Sequence, residues 1–285
     1  MKIALIGDFH GKFPLRLKQE IQRQKVDLII SIGDYLPFFY RELWFKHCYR
    51  KEVDLDEIIG KKKYQKLIKE DIRRGSLVFK KLDDLGIPVF SVLGNVDYPF
   101  PDDVLDEKKI KKKMYIKYLD FIKTLKKYSN IKRIDYSYQK FNGFVFIGMR
   151  GHSFPGIVKS KAFRKHKRLL ERLFRKFRKE NEQGRVIFVS HNIPYNTKLD
   201  KVVSKNANKK VIGKHLGSKL ARRIVEQQKP LLAVGGHIHE GFGQDKIGKT
   251  IILNSGSLAE GKMIFIDLEE KGKIRKIKFI GKKKS

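Results

Sequence analysis

Asp8 and His10 stand two residues apart where the apolar run Ile3–Ile6 ends, with Gly7 and Gly11 on either side. Side chains at i and i+2 of an extended segment point the same way, so this spacing brings a carboxylate and an imidazole to a common point. Four later segments repeat the arrangement. Val26–Ile32 exits into Gly33-Asp34, and Ile87–Leu93 exits into Gly94-Asn95-Val96-Asp97. Val186–Val189 exits into Ser190-His191-Asn192, and Leu231–Val234 into Gly235-Gly236-His237-Ile238-His239. Each is a β-rich run leaving through a Gly or Ser turn into Asp, Asn or His, as a rigid sheet presents ligands on the loops at its strand ends. The collected set is Asp8, His10, Asp34, Asn95, His191, His237 and His239. That is more oxygen and imidazole donors than one tetrahedral ion takes, and it suits two divalent first-row cations sharing a bridging carboxylate. The one cysteine, Cys48, lies away from every motif, which points to Mn, Fe, Ni, Co or Zn rather than a Cys-rich zinc site. Mn is the expected ion in vitro.

Taken in order, Gly7-Asp8-Phe9-His10, Gly33-Asp34, Gly94-Asn95-Val96-Asp97, Ser190-His191 and Gly236-His237-Ile238-His239 resemble the five blocks of the calcineurin-like metallophosphoesterases. Asn254-Ser255-Gly256-Ser257 is similar to the Asn-Pro-Gly-Ser turn of the smaller bacterial and archaeal members. The resemblance implies an α/β fold, a four-layer αββα sandwich of two mixed sheets with helices outside and metals at one edge. It implies a dinuclear-metal-dependent phosphoester hydrolase. Asp8, His10 and His239 would hold the first ion, Asn95, His191 and His237 the second, and Asp34 would bridge them. Asp34 and Asp8 would be the catalytic carboxylates, bearing on the attacking water. The histidines must be neutral to ligate, so activity is expected to fall at acid pH.

The sequence departs from the family at one position. Family phosphatases usually carry Gly-Asn-His after the third strand, and that His protonates the leaving group. Val96 stands there and cannot donate a proton. Small phosphodiesterase-like members often have a non-His residue at this point, so phosphodiester or nucleotide substrates are expected over simple monoesters. The alternative is a catalytically weak nucleic-acid-binding protein that keeps the metal site.

The elements that position these groups run the length of the chain. Motifs from position 7 to 239 must meet in space, so residues 1–285 are read as a single domain. Tyr35–Arg74 is longer than an ordinary βα loop and aromatic-rich, and it reads as a helical insertion at 36–75. Ser76 is expected to cap a following helix that Gly86 stops. Basic amphipathic helices are expected at about 107–127 and 159–179, with Phe163, Leu170, Leu173, Phe174 and Phe177 inward on the second. The strands Thr250–Leu253, Met263–Leu268 and Ile274–Phe279 look like a second sheet closing a sandwich. Four residues are candidates to contact substrate: Asn95, the post-strand pair Arg150 and His152, and His215 beside a helix start at Ser218.

Lys plus Arg is 65 against 31 Asp plus Glu, a formal charge of +34. So basic a chain is drawn to polyanions, which makes nucleic acid a candidate partner beside the phosphoester substrate. No run of eighteen apolar residues and no signal-peptide pattern occurs, so a cytoplasmic protein without an integral membrane segment is expected. The sequence carries no signal for oligomeric state.

Overall fold

Strand β1 (Lys2–Ile6) is buried on both faces, and its apolar residues alternate between two cores. In the computed structural model, which describes residues 1–48, 51, 53–97, 124–152, 158–204, 211–270 and 272–281, this alternation recurs in strand after strand. Ile3 and Leu5 point toward a second sheet, whereas Ala4 and Ile6 point toward helices. A strand covered on both faces reads as a near-continuous apolar run, which is why the sequence shows β1 so plainly.

The first sheet pairs β1 in parallel with β2 (Leu28–Ser31), which pairs in parallel with β3 (Val89–Ser91) and then β4 (Ile131–Arg133). On its other side β1 pairs antiparallel with β11 (Met263–Glu269), Lys2 opposite Asp267, and β11 with β12 (Lys273–Ile280). The second sheet contains β5 (Tyr138–Phe141), β6 (Phe144–Met149), β7 (Val186–Asn192), β8 (Leu232–Gly236), β9 (Gly243–Ile247) and β10 (Thr250–Asn254), in the order β5-β6-β7-β8-β10-β9. Both sheets are mixed; β12, β5 and β9 are antiparallel edge strands, whereas the edge strand β4 is parallel to β3. Ile3, Leu5, Ile30 and Val92 of the first sheet meet Phe146, Ile187, Val189 and Val234 of the second in one dry core.

Helices close the outer faces. α1 (Leu15–Gln24) and the C-terminal part of α4 (Lys61–Asp83) cover the first sheet through Leu17, Ile21, Val78, Phe79 and Leu82. α5 (Lys161–Lys176) and α7 (Lys219–Gln228) cover the second through Phe163, Leu170, Phe174, Ile224 and Val225. The short α6 (Arg178–Glu182) follows α5, so the basic helix expected at 159–179 is present as this pair. Most of the basic helix expected at about 107–127 lies outside the described residues. Among the described residues no helix is long and apolar enough to cross a membrane.

Two sequence expectations are corrected. The C-terminal strands do not form one sheet: β10 joins the second sheet beside β8, while β11 and β12 join the first beside β1. The first sheet thus draws on both ends of the chain, and the second on strands between Tyr138 and Asn254. Ser76 caps nothing, because α4 runs unbroken through Gly75-Ser76. The glycine is there for close packing; a Cβ at Gly75 would sit 2.5 Å from Leu36 Cδ2.

Within residues 36–75 lie α2 (Arg41–His47), α3 (Leu55–Ile59) and the start of α4. Tyr40, Cys48, Leu55 and Ile68 form a small separate core there, flanked by Phe38, Trp44 and Tyr64. The aromatics of this stretch pack on one another, as in Phe38 against Tyr40 and Tyr40 against Tyr64.

Candidate metal centre

The exits of β1, β2, β3, β7 and β8 meet at one edge of the sandwich. Main-chain bonds run the β1 and β2 exits side by side: Asp8 N–H donates to the Gly33 carbonyl and His10 N–H to the Asp34 carbonyl, both at 2.9 Å. The Asp97 carboxylate ties the β2 and β3 exits together. It accepts the N–H groups of Asp34 (2.9 Å), Tyr35 (2.8 Å), Leu36 (3.2 Å) and Gly94 (2.8 Å). At Gly94 a Cβ would collide with Asp34 Oδ1, so only glycine lets the two turns approach this closely. Asp8, His10, Asp34 and His237 all hold left-handed backbone, with φ of 50°, 44°, 56° and 72°. Such conformations cost a non-glycine residue on the order of 1–3 kcal/mol and persist where surrounding structure over-determines them, commonly at functional sites.

Two groups of donors result. In the first, Asp8, His10 and His239 converge, with His10 Nε2 3.3 Å from His239 Nε2 and His239 Nε2 3.3 Å from Asp8 Oδ1. In the second, His191 Nε2 lies 2.8 Å from Asn95 Oδ1 and 3.2 Å from His237 Nδ1, and His237 Nδ1 lies 2.8 Å from Asn95 Oδ1. Asp34 Oδ2 approaches His191 Nε2 at 3.6 Å, and Asp8, Asp34 and His191 form a further cluster between the two groups. The structure therefore brings together all seven donors singled out in the sequence.

The electrostatics fit cations. His191 Nδ1 donates to the Ile32 carbonyl at 2.8 Å, which leaves the lone pair of the neutral ring on Nε2, facing Asn95 Oδ1 and His237. Asp8 Oδ1 is buried without a well-aligned hydrogen bond. Lone pairs and an unsatisfied carboxylate oxygen converging in a buried site repel one another unless positive charge sits among them. Burial holds His10 below the ordinary imidazole value and His237 well below it. His239 goes the other way: burial opposes its protonation, but the Asp8 and Glu260 carboxylates prevail and lift it to about 10. Imidazole, carboxylate and amide oxygen without thiolate is the donor chemistry of first-row divalent ions.

A supporting layer stands behind the donors. Glu260 Oε1 lies 3.4 Å from His239 Nδ1, and the buried Lys262 ammonium donates to Glu260 Oε2 (2.7 Å) and to the His239 carbonyl (3.0 Å). His239 foremost, helped by Lys262, holds the Glu260 carboxyl down at about 2. Ser257 Oγ donates to the Asp8 carbonyl at 2.8 Å, and Asn254 Nδ2 to the Ile238 carbonyl at 2.9 Å. The sequence reading passed over Asp97, Glu260 and Lys262. Asp97 lies inside a motif and could have been found there; Glu260 and Lys262 carry no local signal.

The other substrate candidates have partners of their own. His152 is joined to Asn192 through both main-chain groups, at 2.9 Å each, and its Nε2 lies 2.9 Å from Ser218 Oγ, which caps α7 by accepting from Ala221 N–H. Gly151, just before it, packs against the His191 ring and the Asn95 main chain. Arg150 is buried, and its charge acts on the buried Asp135 carboxylate. His215 Nδ1 lies 2.7 Å from Asp200 Oδ1, and Asp200 also accepts the N–H groups of Asn196, Thr197 and Gly217, so this pair knots the loop after β7. Val96 is buried and offers the site only its main chain, donating to Asp34 Oδ1 at 3.1 Å.

Residues 1–279 match the family profile described as metallophosphoesterase, calcineurin superfamily. The uncharacterized protein MJ1162 of Methanocaldococcus jannaschii is 27% identical over 259 residues, covering 89% of this chain and 87% of that protein. A solved structure 23% identical, covering 98% of this chain and 97% of its own, superposes with a TM-score of 0.64. A dimetal phosphatase from Danio rerio, 11% identical over 99% of this chain and 96% of that one, superposes with a TM-score of 0.54. At these identities the structural likenesses establish the fold.

Proposed function

The chain belongs to the metallophosphoesterases of the calcineurin superfamily and is a metal-dependent phosphoesterase; from this premise we propose that it acts on phosphodiester or nucleotide substrates in preference to simple monoesters. The convergence of the two donor groups around Asp8 and Asp34 carries the reading. Asp8, His10 and His239 would hold one divalent ion and Asn95, His191 and His237 the other, with Asp34 placed between the two groups. When bound, such cations would supply Lewis acidity, lowering the pKa of a bound water and neutralising phosphoryl charge.

The protein's own groups do the rest. Asp97 fixes the turns that carry Asp34 and Asn95, and Ile32 sets the tautomer of His191. The loops exclude bulk water from Asp8 and His191, both fully buried. Val96 leaves the leaving group without the acid found in family phosphatases, which favours esters whose leaving oxygen needs less proton assistance, and Mn²⁺ is the assay ion of choice.

The test is hydrolysis of bis-p-nitrophenyl phosphate against p-nitrophenyl phosphate with Mn²⁺ and after chelation. Chelator-sensitive turnover that favours the diester is expected. Asp34→Asn and His237→Ala should each lose nearly all of it; wild-type rates in either at saturating metal would overturn the two-ion site. No turnover by metal-loaded protein would favour the second reading, a nucleic-acid-binding protein that retains the site, which the +34 charge supports.

A further inference from the structure

Helix α5 carries Lys161, Arg164, Arg168, Arg172 and Arg175 at steps of three and four residues, which places them in one row along the helix. All five are exposed. The nearest acidic residue of the helix, Glu171, is engaged by Lys167 at 3.1 Å, and among the described residues Arg168, Arg172 and Arg175 form no ion pair. The apolar side of α5 is spent inward, since Phe163, Leu170 and Phe174 are buried against the second sheet. Arg223 of α7 leans over the Phe163 ring, 5.8 Å from its centre, which adds a basic group beside the row.

The row also has a direction. β6 ends at the metal edge, where Gly151 touches His191 and Asn95, and β7 begins at the opposite end of the sheet in parallel with β6. α5, which joins them, therefore starts on the side of the metal centre and leads away over about 24 Å of helix rise. From the donor-bearing edge and this exposed basic row we infer that α5 is the docking face for a nucleic-acid strand, whose phosphodiester backbone it guides to the metal centre. The inference rests on the phosphoesterase reading and names its substrate class. A membrane surface is the poorer occupant, because no large apolar side chain of α5 is fully exposed for insertion. Phosphate contacts need only charge at regular intervals, which the row supplies.

The test uses the full-length protein loaded with Mn²⁺ and a fluorescein-labelled 20-nucleotide phosphorothioate strand that resists hydrolysis. Binding is followed across a salt series. Five phosphate contacts predict a slope of log affinity on log salt of about −3.5. Arg168→Gln/Arg172→Gln/Arg175→Gln should flatten that slope by about 2 while leaving bis-p-nitrophenyl phosphate turnover unchanged. Arg23→Gln/Lys25→Gln/Lys81→Gln removes the same charge from exposed positions on and around the helices over the other sheet and should leave the slope unaltered. Equal flattening by both variants would overturn the inference in favour of diffuse attraction. So would binding to phosphatidylserine vesicles that the strand fails to displace. Failure to bind the strand with ester turnover intact sinks the inference alone; absent ester turnover sinks the reading beneath it as well.

Discussion

Glu260 shows how a residue without a sequence motif can govern one that has it. Its carboxylate faces His239 Nδ1 on one side and Lys262 on the other, so the ring is held with Nε2 turned toward Asp8 and His10. Carboxylates behind metal-facing imidazoles fix ring orientation and raise basicity, and their loss commonly costs 10–100-fold in metal affinity. Glu260→Gln should accordingly weaken Mn²⁺ binding by that factor in calorimetry, with near-normal turnover restored at saturating metal. An unchanged affinity would reduce Glu260 to a partner of Lys262. At this scale the donors were legible because each follows an apolar run directly, whereas Glu260, at the end of a 3₁₀ turn, and Lys262, just after it, reach His239 from more than twenty residues later, where no spacing rule announces them.

Among the elements, α4 spans the insertion and the sheet-covering layer without a break, and it buries Asp71 at the join. Asp71 Oδ1 accepts a long bond, 3.4 Å, from Phe39 N–H, and its Oδ2 is buried without a well-aligned hydrogen bond. Burial pushes its carboxyl from 3.8 up to about 6. Because the folded value is the higher, the folded state binds the extra proton between those values. Stability from this group is therefore present at low pH and lost as pH rises toward 6 and beyond, by at most about 3 kcal/mol. Asp71→Asn should melt above the wild type at pH 8, with the gap closing near pH 4. A gap that does not depend on pH would refute the assignment. The same helix shows why local signals misled: Gly75-Ser76 has the composition of a helix start, yet the glycine is there because Leu36 packs against it. Short polar strands such as β4 and β5 were likewise invisible, since three or four half-exposed residues carry no periodicity.

For the molecule as a whole, the donors come from both sheets: Asp8, His10, Asp34 and Asn95 from exits of the first, His191, His237 and His239 from the second. Cation binding therefore joins the two halves of the sandwich and should stabilise the entire fold. At a Mn²⁺ concentration about a hundredfold above Kd the gain is about 2.7 kcal/mol per ion, or roughly 5–10 °C in melting temperature. His237→Ala should respond by clearly less; an equal shift in the variant would place the stabilising ion elsewhere. The two-sheet architecture followed from family resemblance, and the apolar runs gave most of its strands. Which strands share a sheet did not follow, because pairing of β1 with β11 depends on contacts that no local pattern encodes.

That pairing has a consequence for how the protein is made. β1 leaves the ribosome well before the strand that covers its free edge, which is translated about 260 residues later, roughly 13–50 s at ordinary elongation rates. The turn that braces Asp8, with Ser257, comes nearly as late. For that interval an apolar strand with an open edge must be shielded while the rest of the chain is synthesised. The metal centre then matures only after these later segments have been made, so ion capture is timed by the arrival of Ser257 and β11.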